Sequence, residues 1–228
     1  MLSKNLESVY ARIDAAAKES GRKKEDILLV AVTKTHPSEM INEVLSLGIT
    51  DIGENRPQEV RDKFPCVNDA NWHLIGQLQT NKIKYIIDKV CLIHSVDSIH
   101  LMDEINRHAA KHDLVANILI QVNISGEETK SGINPAELHN MLLHAGELSN
   151  IFVKGLMTIA PNAEANIVEK CFSDMNDLYQ KTAQKTYKNV TMDYLSMGMS
   201  NDFELAIKHG SNLVRVGRSI FGERGTVR

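Results

Sequence analysis

Eight short β-rich segments alternate with amphipathic helical segments along 228 residues, and this alternation predicts a single (β/α)8 TIM barrel. The strict order of strand and helix implies parallel pairing of the strands. No linker, low-complexity stretch or internal repeat marks a second domain, so we expect one domain over residues 1–228. The predicted strands are residues 27–34, 49–54, 71–76, 91–96, 116–124, 152–159, 191–198 and 213–217.

Helical patterns fill the intervals between these strands, and several begin at capping residues such as Ser38, Ser98 or Asn134. Too few residues follow the eighth strand to form a full outer helix. An extra amino-terminal helix at residues 3–20 is expected to close the outer ring instead, and a doubly wound open sheet is the competing fold. The other predicted helices are residues 38–47, 56–64, 80–89, 98–112, 135–148, 163–186 and 201–209.

Composition and charge narrow the partners that the protein can have. The chain is 43% hydrophobic and 24% charged, with a net charge of -3, which gives no broad cationic surface for nucleic acid. It shows no apolar signal core and no apolar run near the roughly 18 residues of a membrane span, so we expect a cytoplasmic protein without membrane partners. Its three cysteines are widely spaced and predict neither a disulfide framework nor a zinc site.

Polar residues concentrate where the predicted strands end, at the edge of a barrel that carries active sites. Lys34 closes the first apolar run and is a candidate covalent residue, although a solvated rim lysine is the alternative. The second, third, sixth, seventh and eighth strands end in the polar and glycine-rich segments 53–56, 73–76, 155–158, 196–202 and 215–218.

The ends of the seventh and eighth strands suggest a phosphate site. We expect Gly198 to let the backbone approach a ligand and residues 200–202 to open a helix whose N–H groups and hydroxyl can hold an anion. Gly217 and Arg218 would add a second close approach where barrels commonly bind phosphate. Each glycine alone fits an ordinary turn, but their joint placement favours the phosphate site.

Strand parity predicts that Arg215 points into the barrel while Val214 and Val216 face the outer helices. Such an arginine could be the cation that disfavours the charged form of Lys34, whose unperturbed pKa would be about 10.4. A buried ion pair with one of the nearby carboxylates is the alternative; the candidates are Asp51, Glu54 and Asp193. A lysine beside a phosphate site suggests a phosphorylated aldehyde held as a Schiff base.

Several motifs, in order from residue 27 to about 224, resemble those of the pyridoxal 5'-phosphate homeostasis proteins, the YggS/PROSC family. They are AVTKT at 31–35, GEN at 53–55, QE at 58–59, WHLIG at 72–76, LQ at 78–79, NK at 81–82, GLM at 155–157, SMGMS at 196–200 with Asp202, VRVG at 214–217 and FG at 221–222. The resemblance implies a barrel like the alanine racemase amino-terminal domain, with pyridoxal 5'-phosphate (PLP) held on Lys34 as a Schiff base.

The resemblance also implies roles for other residues. It assigns phosphate contacts to Ser200, Gly217 and Arg218, places the pyridine nitrogen against Arg215, and adds three further pocket residues, Asn55, His73 and Met199. Arg218 departs from the family pattern, in which many relatives have a small hydroxyl residue. A backbone N–H contact would survive that change, whereas a hydroxyl contact would not.

The function implied is vitamin B6 homeostasis, by storage, buffering or delivery of PLP to apo PLP-dependent enzymes, without robust catalysis. An arginine only donates, so it should leave the ring nitrogen unprotonated and weaken the cofactor as an electron sink. The related racemases add a carboxyl-terminal domain that supplies a tyrosine base. We therefore expect a monomeric binding protein with no catalytic residue and no metal.

Two other function classes remain open, and two further features have no assigned role. The protein could be a PLP-dependent racemase or lyase, or a cofactor-free aldolase that uses Lys34 on a sugar phosphate. His108 and His112 have metal-like spacing, but their place in a predicted outer helix favours a solvated face. Residues 126–132 form a loop on the site face that could gate the pocket or serve as a plain connection.

Overall fold

The structure, a computed structural model, describes residues 1–127 and 130–222 and contains a closed barrel of eight parallel strands. Each strand pairs with its neighbours in sequence, and the eighth pairs with the first to close the barrel. The predicted (β/α)8 fold is confirmed. The strands are β1 (Leu28–Val32), β2 (Asp51–Glu54), β3 (Asn71–Leu74), β4 (Leu92–Val96), β5 (Ala116–Gln121), β6 (Ile151–Met157), β7 (Val190–Met199) and β8 (Leu213–Val216).

The described helices surround the barrel and largely follow the sequence pattern. The predicted helix at 80–89 is instead a 3₁₀ helix at Thr80–Tyr85, in a segment whose β-branched isoleucines disfavour an α-helix. A four-residue helix follows the eighth strand, where no full helix was expected. The α-helices are α1 (Leu2–Glu19), α2 (Ser38–Ser46), α3 (Pro57–Lys63), α4 (Ile99–Lys111), α5 (Leu138–Ala145), α6 (Ala165–Ala183), α7 (Phe203–Lys208) and α8 (Arg218–Phe221).

Helix α1 closes the outer ring of helices, as the sequence predicts. Its apolar stripe, which includes Leu6 and Ile13, is buried. The Asn5 side chain donates to the Ile220 carbonyl oxygen of α8 at 2.9 Å, and the Arg12 guanidinium pairs with Glu204 of α7 at 2.7 Å. The amino-terminal helix therefore fixes the two helices that flank the predicted site. Among the described helices, none combines the length and apolar character needed to cross a bilayer.

Two apolar layers hold the barrel together. The larger one lies between the strands and the outer helices, and it includes Val214 and Val216. The smaller one fills the barrel interior with aliphatic side chains, as is usual for this fold; its buried members are Val30, Leu92, Leu119, Met157 and Leu213. The parity predicted for β8 is therefore confirmed, since Arg215 lies inside the barrel and is only 3% exposed.

Candidate functional site

A cavity of about 1230 Å³ opens at the carboxyl ends of the strands. This is the edge of a barrel at which ligands bind. Loops after β1, β2, β6, β7 and β8 form its walls, so parts of the chain that are far apart in sequence meet there. Of the predicted site residues, those that line this cavity are Lys34, Asn55, Met199, Ser200, Arg215, Gly217 and Arg218.

Lys34 lies in the turn that follows β1 and is half-buried at the cavity. The backbone on both sides of it is fixed by hydrogen bonds. The Thr33 N–H donates to the Gly53 carbonyl oxygen at 3.0 Å, and the Thr35 N–H donates to Oε2 of Glu59 at 2.8 Å. Thr35 adopts the left-handed conformation with a φ of 69°, which turns the chain sharply after the lysine. The amine is therefore presented from a rigid turn.

A partly buried ionic cluster behind this turn, which we call the Lys63 clamp, consists of Thr33, Glu54, Glu59 and Lys63. The Lys63 ammonium donates to Oε1 of Glu54 and to Oε2 of Glu59, both at 2.8 Å, and to the Thr33 carbonyl oxygen at 3.1 Å. The Thr33 hydroxyl donates to the same Glu54 oxygen at 2.7 Å. The clamp thus ties the end of β1 to the end of β2 and to α3.

Glu54 is the member of the clamp whose burial is least compensated by hydrogen bonds. Its carboxylate is fully buried, and Oε2 has no hydrogen-bond partner among the described residues. Burial raises the pKa of Glu54 to about 7 although Lys63 and Thr33 oppose the rise. The sequence prediction did not include the clamp, for which the only local signal was the spacing of four residues between Glu59 and Lys63 in α3.

Hydrogen bonds join Ser200, in the loop between β7 and α7, to Gly217 and Ser219 at the start of α8. The Ser200 hydroxyl accepts from the Gly217 N–H at 3.2 Å and from the Ser219 N–H at 3.5 Å. The Ser219 hydroxyl donates to the Ser200 carbonyl oxygen at 3.4 Å. Arg218 is exposed beside them at the start of α8. A hydroxyl and two backbone N–H groups therefore meet at the wall of a cavity that a cationic residue also lines, a combination suited to an anion.

The helix expected to open at residues 200–202 begins later, at Phe203. The Asp202 carboxylate accepts from the Met199 N–H at 2.6 Å, so an acidic side chain lies before that helix. The N–H donors that meet at Ser200 belong to the start of α8. The helix thus starts two residues after the predicted residue 201, because the turn at residues 199–202 is stabilised by Asp202 itself, and an anion contact at residues 200–202 stays a prediction.

The missing side chains of Gly198 and Gly217 make room for packing. Gly198 has a φ of 95°, and a Cβ atom there would lie 2.6 Å from the Ala206 Cβ and 2.8 Å from the Phe203 Cα. A Cβ on Gly217 would lie 3.2 Å from Val32 of β1. The missing side chain of Gly198 therefore makes room for α7, and the approach of its backbone to a ligand stays a prediction.

Arg215 reaches the floor of the cavity from inside the barrel. Its guanidinium donates to the Ser196 hydroxyl and, at 3.0 Å, to the Thr158 carbonyl oxygen. Burial lowers the pKa of Arg215 to about 10, an effect that the Asp202 charge opposes, so the guanidinium stays protonated at neutral pH.

The predicted alternative for Arg215, an ion pair with a neighbouring carboxylate, is wrong. Each candidate carboxylate binds another partner: Asp51 contacts His73, Glu54 contacts Lys63, and Asp193 contacts Lys154. Because its hydrogen bonds go to neutral oxygens, the buried charge of Arg215 remains available to a ligand.

His73 lies deeper in the barrel than a pocket residue would. It is 2% exposed and does not line the cavity; its Nε2 is 2.9 Å from Oδ1 of Asp51 and its Nδ1 is 2.9 Å from Nε2 of His94. Ile75, two residues further along the chain, is the residue of this segment that reaches the cavity. The structure therefore separates His73 from the other predicted site residues.

Two remaining expectations concern the loop after β5 and metal ions. Within the loop at 126–132, Glu128 and Thr129 lie outside the described residues, and whether it gates the cavity stays a prediction. In the described ranges 1–127 and 130–222, no group of three or more His, Cys, Asp or Glu side chains could hold a metal ion.

Comparison with known proteins gives a consistent set of relatives. Residues 5–225 match the family described as alanine racemase, N-terminal domain. The pyridoxal phosphate homeostasis protein of Aquifex aeolicus is 44% identical over 222 residues, which cover 96% of each chain. The protein of the same name from Escherichia coli K12 is 37% identical over 228 residues, covering 98% of this chain and 97% of that one.

Solved structures show the same fold. A protein from Bifidobacterium adolescentis described as unknown superposes with a TM-score of 0.91 at 36% identity, over 96% of this chain and 94% of that one. PipY of Synechococcus elongatus, solved with PLP bound, gives a TM-score of 0.83 at 29% identity, over 97% of this chain and 100% of that one. Alanine racemase of Clostridium difficile shares the fold at 16% identity, and this chain covers 57% of its length.

We predict that protonation of Glu54 makes the free energy of unfolding depend on pH. The pKa of Glu54 is about 7 in the folded protein against an ordinary 4.5, so the folded state keeps a proton that the unfolded state has lost. Stability should therefore fall as pH rises from 4.5 to 7, by up to about 3 kcal/mol. Glu54→Gln should flatten this fall in urea denaturation measured across that range.

Glu59→Gln is the control for this measurement. The hydrogen bonds from Lys63 and Thr35 lower the pKa of Glu59 against the effect of its partial burial, so its contribution is lost as pH falls rather than as pH rises. This variant should keep a decline between pH 4.5 and 7, smaller than in wild type because the Glu59 charge adds to the raised pKa of Glu54. A Glu54→Gln protein with the same decline as wild type would contradict the role given to Glu54.

Proposed function

This chain belongs to the alanine racemase N-terminal domain family and, within it, to the pyridoxal phosphate homeostasis proteins, as its motifs predicted; on this basis we propose that it binds PLP and maintains the PLP pool of the cell. The observation that carries the proposal is that one cavity brings together a lysine amine, a buried arginine and a set of anion donors. PipY, which covers this chain almost completely, has been solved with PLP bound.

Lys34 is the residue to which we assign the covalent link. Its amine adds to the aldehyde carbon of PLP, and loss of one water leaves a C=N bond between the lysine and the cofactor. The half-buried position at the cavity and the rigid turn around Lys34 support this assignment, because they limit the positions that the amine can reach. The Lys63 clamp would hold that turn whether or not the cofactor is bound.

The phosphate group fits the donors at Ser200, Gly217 and Arg218. The N–H groups of Gly217 and Ser219 now donate to the Ser200 hydroxyl. A phosphate oxygen at this place could accept from both N–H groups and from the hydroxyl. Arg218 adds a positive charge from the exposed side. We assign Asn55 and Met199, which line the same cavity, to the walls around the cofactor ring, and we assign His73 no direct contact with the cofactor.

Arg215 is suited to face the pyridine nitrogen and would favour binding over catalysis. A guanidinium that stays charged only donates hydrogen bonds, so the ring nitrogen would remain an unprotonated acceptor. Bound PLP acts as an electron sink in amino-acid chemistry, and that sink is weaker when the ring nitrogen carries no proton. We therefore propose a protein that stores, buffers or delivers PLP without robust turnover.

The openness of the site supports the same conclusion. Efficient proton transfer needs positioned acid and base groups and the exclusion of water. The described residues that line the cavity include no tyrosine that could act as the base known from the related racemases. Because the alanine racemase chain is covered over only 57% of its length at 16% identity, its activity does not transfer to this chain.

We propose that the protein is a cytoplasmic monomer. We also propose that it transfers PLP to apo PLP-dependent enzymes. The cysteines Cys66, Cys91 and Cys171 are all free, which is usual for proteins of a reducing compartment. Reversible imine exchange suits delivery, because an amine of a recipient enzyme can replace Lys34 on the aldehyde carbon while the Lys34 amine is released.

The link to Lys34 is tested with Lys34→Ala and Lys34→Arg. After incubation with PLP and removal of unbound PLP, we expect the wild-type protein to show the absorption band of the imine, which neither variant shows because neither can form it. Lys34→Arg should retain some noncovalent binding because the positive charge remains. Lys154→Ala is the control, since it removes a lysine that pairs with Asp193 away from the cavity, and it should keep the full band.

Wild-type protein that stays colourless after this incubation would contradict PLP binding and leave a cofactor-free reaction at Lys34 as the better explanation. Racemisation or deamination of amino acids at ordinary enzymatic rates would contradict the absence of robust turnover and favour a PLP-dependent enzyme.

Delivery is tested by mixing the PLP-loaded protein with an apo PLP-dependent enzyme in the presence of a trap for free aldehyde. We expect the apo enzyme to regain activity despite the trap, because PLP would pass directly between the two proteins. The same experiment with an equal amount of free PLP is the control and should give no activation. Activation only in the absence of the trap would reduce the role of this protein to storage and buffering.

A further inference from the structure

A chain of hydrogen-bonded side chains crosses the interior of the barrel and ends at Arg215. We call its members Asp51, His73, His94, Ser196 and Arg215 the interior relay. Asp51 Oδ1 is 2.9 Å from Nε2 of His73, Nδ1 of His73 is 2.9 Å from Nε2 of His94, and Nδ1 of His94 is 3.1 Å from the Ser196 hydroxyl. That hydroxyl accepts a hydrogen bond from the Arg215 guanidinium. The relay therefore joins the start of β2 to the cavity floor.

Such a chain is unusual in a place where this fold needs only apolar side chains. All five residues are buried, with Asp51 the most exposed at 6%, and they come from β2, β3, β4, β7 and β8. Buried polar groups destabilise a core unless every one of them finds a partner. The relay satisfies this condition at each link, yet an aliphatic core would need none of these links, which suggests a task beyond stability.

The two ends of the relay fix the direction of its first and last hydrogen bonds. The Arg215 guanidinium can only donate, and the ionised Asp51 carboxylate can only accept. The pKa of Asp51 is lowered, because hydrogen bonds from His73 and Thr50 outweigh the effect of its burial. Burial lowers the pKa of His94 well below its ordinary value, and the positive charge of Arg215 adds to this effect, so the ring is neutral.

One assignment of protons then satisfies every contact along the relay. Arg215 donates to Ser196, Ser196 donates to Nδ1 of His94, Nε2 of His94 donates to Nδ1 of His73, and Nε2 of His73 donates to Asp51. In this assignment all four hydrogen bonds point from the cation to the anion, so each one strengthens the next. Asp51 thus acts on Arg215 across the barrel without touching it.

We propose that the interior relay is a positioning device that holds the Arg215 guanidinium in one orientation, with the N–H groups not used by Ser196 and Thr158 directed at the ring nitrogen of bound PLP. This inference rests on the proposed function. The Ser196 hydroxyl and the Thr158 carbonyl oxygen accept hydrogen bonds from the guanidinium. The negative charge of Asp202, in the loop between β7 and α7, also attracts it. Ser196, His94, His73 and Asp51 are positioning residues, since none of them lines the cavity.

The relay is tested with Ser196→Ala, which removes one hydroxyl and keeps the shape of the core. Ser211→Ala is the matched control: Ser211 is also fully buried, and its hydroxyl bonds only to the Leu195, Met197 and Leu213 carbonyl oxygens. We expect Ser196→Ala to bind PLP about tenfold more weakly than wild type, the effect of losing one hydrogen bond to a charged group. Ser211→Ala should bind PLP as wild type does even where it lowers stability in urea.

The absorption spectrum of bound PLP gives a readout that a purely structural role would not move. With Arg215 fixed against it, the ring nitrogen cannot take a proton, so the wild-type spectrum should not report its protonation between about pH 5 and 7. Loss of the Ser196 hydroxyl frees the guanidinium and lets water reach the nitrogen. The Ser196→Ala spectrum should therefore change with pH in this range, whereas the Ser211→Ala spectrum should follow wild type.

Asp51→Asn tests the far end of the relay. The amide oxygen can still accept from His73, but the negative charge is gone, so we expect a smaller loss of PLP affinity, about threefold, in the same direction. Asp193→Asn is its control, because Asp193 pairs with Lys154 on the outside of the barrel.

The possible outcomes separate this inference from the proposed function. Wild-type affinity and a wild-type spectrum in Ser196→Ala would overturn the relay and leave PLP binding intact. Equal losses in Ser196→Ala and Ser211→Ala would also overturn it, since packing alone would then explain them. A wild-type protein that does not bind PLP would overturn the relay and the proposed function together.

Discussion

Pairing between β1 and β8 is the constraint on which the rest of the site depends. The two strands come from opposite ends of the chain, and their register places Val30 beside Arg215 and Ala31 beside Val216. Closing the barrel in this register brings the turn that carries Lys34 next to the loop that carries Gly217, with Val32 packed against that glycine. Neither segment could form a cofactor site alone, because one offers an amine and the other offers anion donors. The fold therefore creates the site by closing, and α1 stabilises that closure by holding α7 and α8 against the barrel.

Arg215 connects the architecture of the barrel with the chemistry that the site can support. It lies in the apolar interior, where an unpaired charge would be strongly destabilising, yet its hydrogen bonds go to a hydroxyl and a carbonyl oxygen and not to a carboxylate. Within the relay, the carboxylate that offsets the Arg215 charge is that of Asp51. It acts through the rings of His73 and His94 and the Ser196 hydroxyl. A cation held in this way is strongly oriented and is still able to bind an acceptor on the cavity side. Facing the ring nitrogen of PLP, it would hold the cofactor firmly while leaving it a poor electron sink, which suits a carrier better than a catalyst.

The sequence predicted the barrel, the leading helix and the inward direction of Arg215, because strand order and side-chain parity are local properties that survive folding. It predicted less well wherever the outcome depends on contacts between distant segments. The Lys63 clamp joins residues of β1, β2 and α3, and no local pattern shows that Glu54 and Thr33 share a hydrogen bond. His73 was expected in the pocket because its motif resembles that of the family, whereas its level in the barrel places it beneath the cavity floor. Parity offered a missed signal, since Asp51, His73 and His94 all fall at interior positions of three successive strands. The role of Gly198 could not be predicted either. A side chain there would clash with α7, and the position of that helix is known only from the structure.

The most direct test of the central claim, that Lys34 carries the cofactor at the closed edge between β1 and β8, is reduction of the PLP-loaded protein with borohydride followed by peptide mass spectrometry. Hydride adds to the imine carbon and converts the C=N bond into a stable amine, so the pyridoxyl group stays on whichever lysine held it. We predict one pyridoxyl group per chain, on the peptide that contains Lys34. A pyridoxyl group on a different lysine, or none after reduction of a protein that binds PLP, would contradict this assignment.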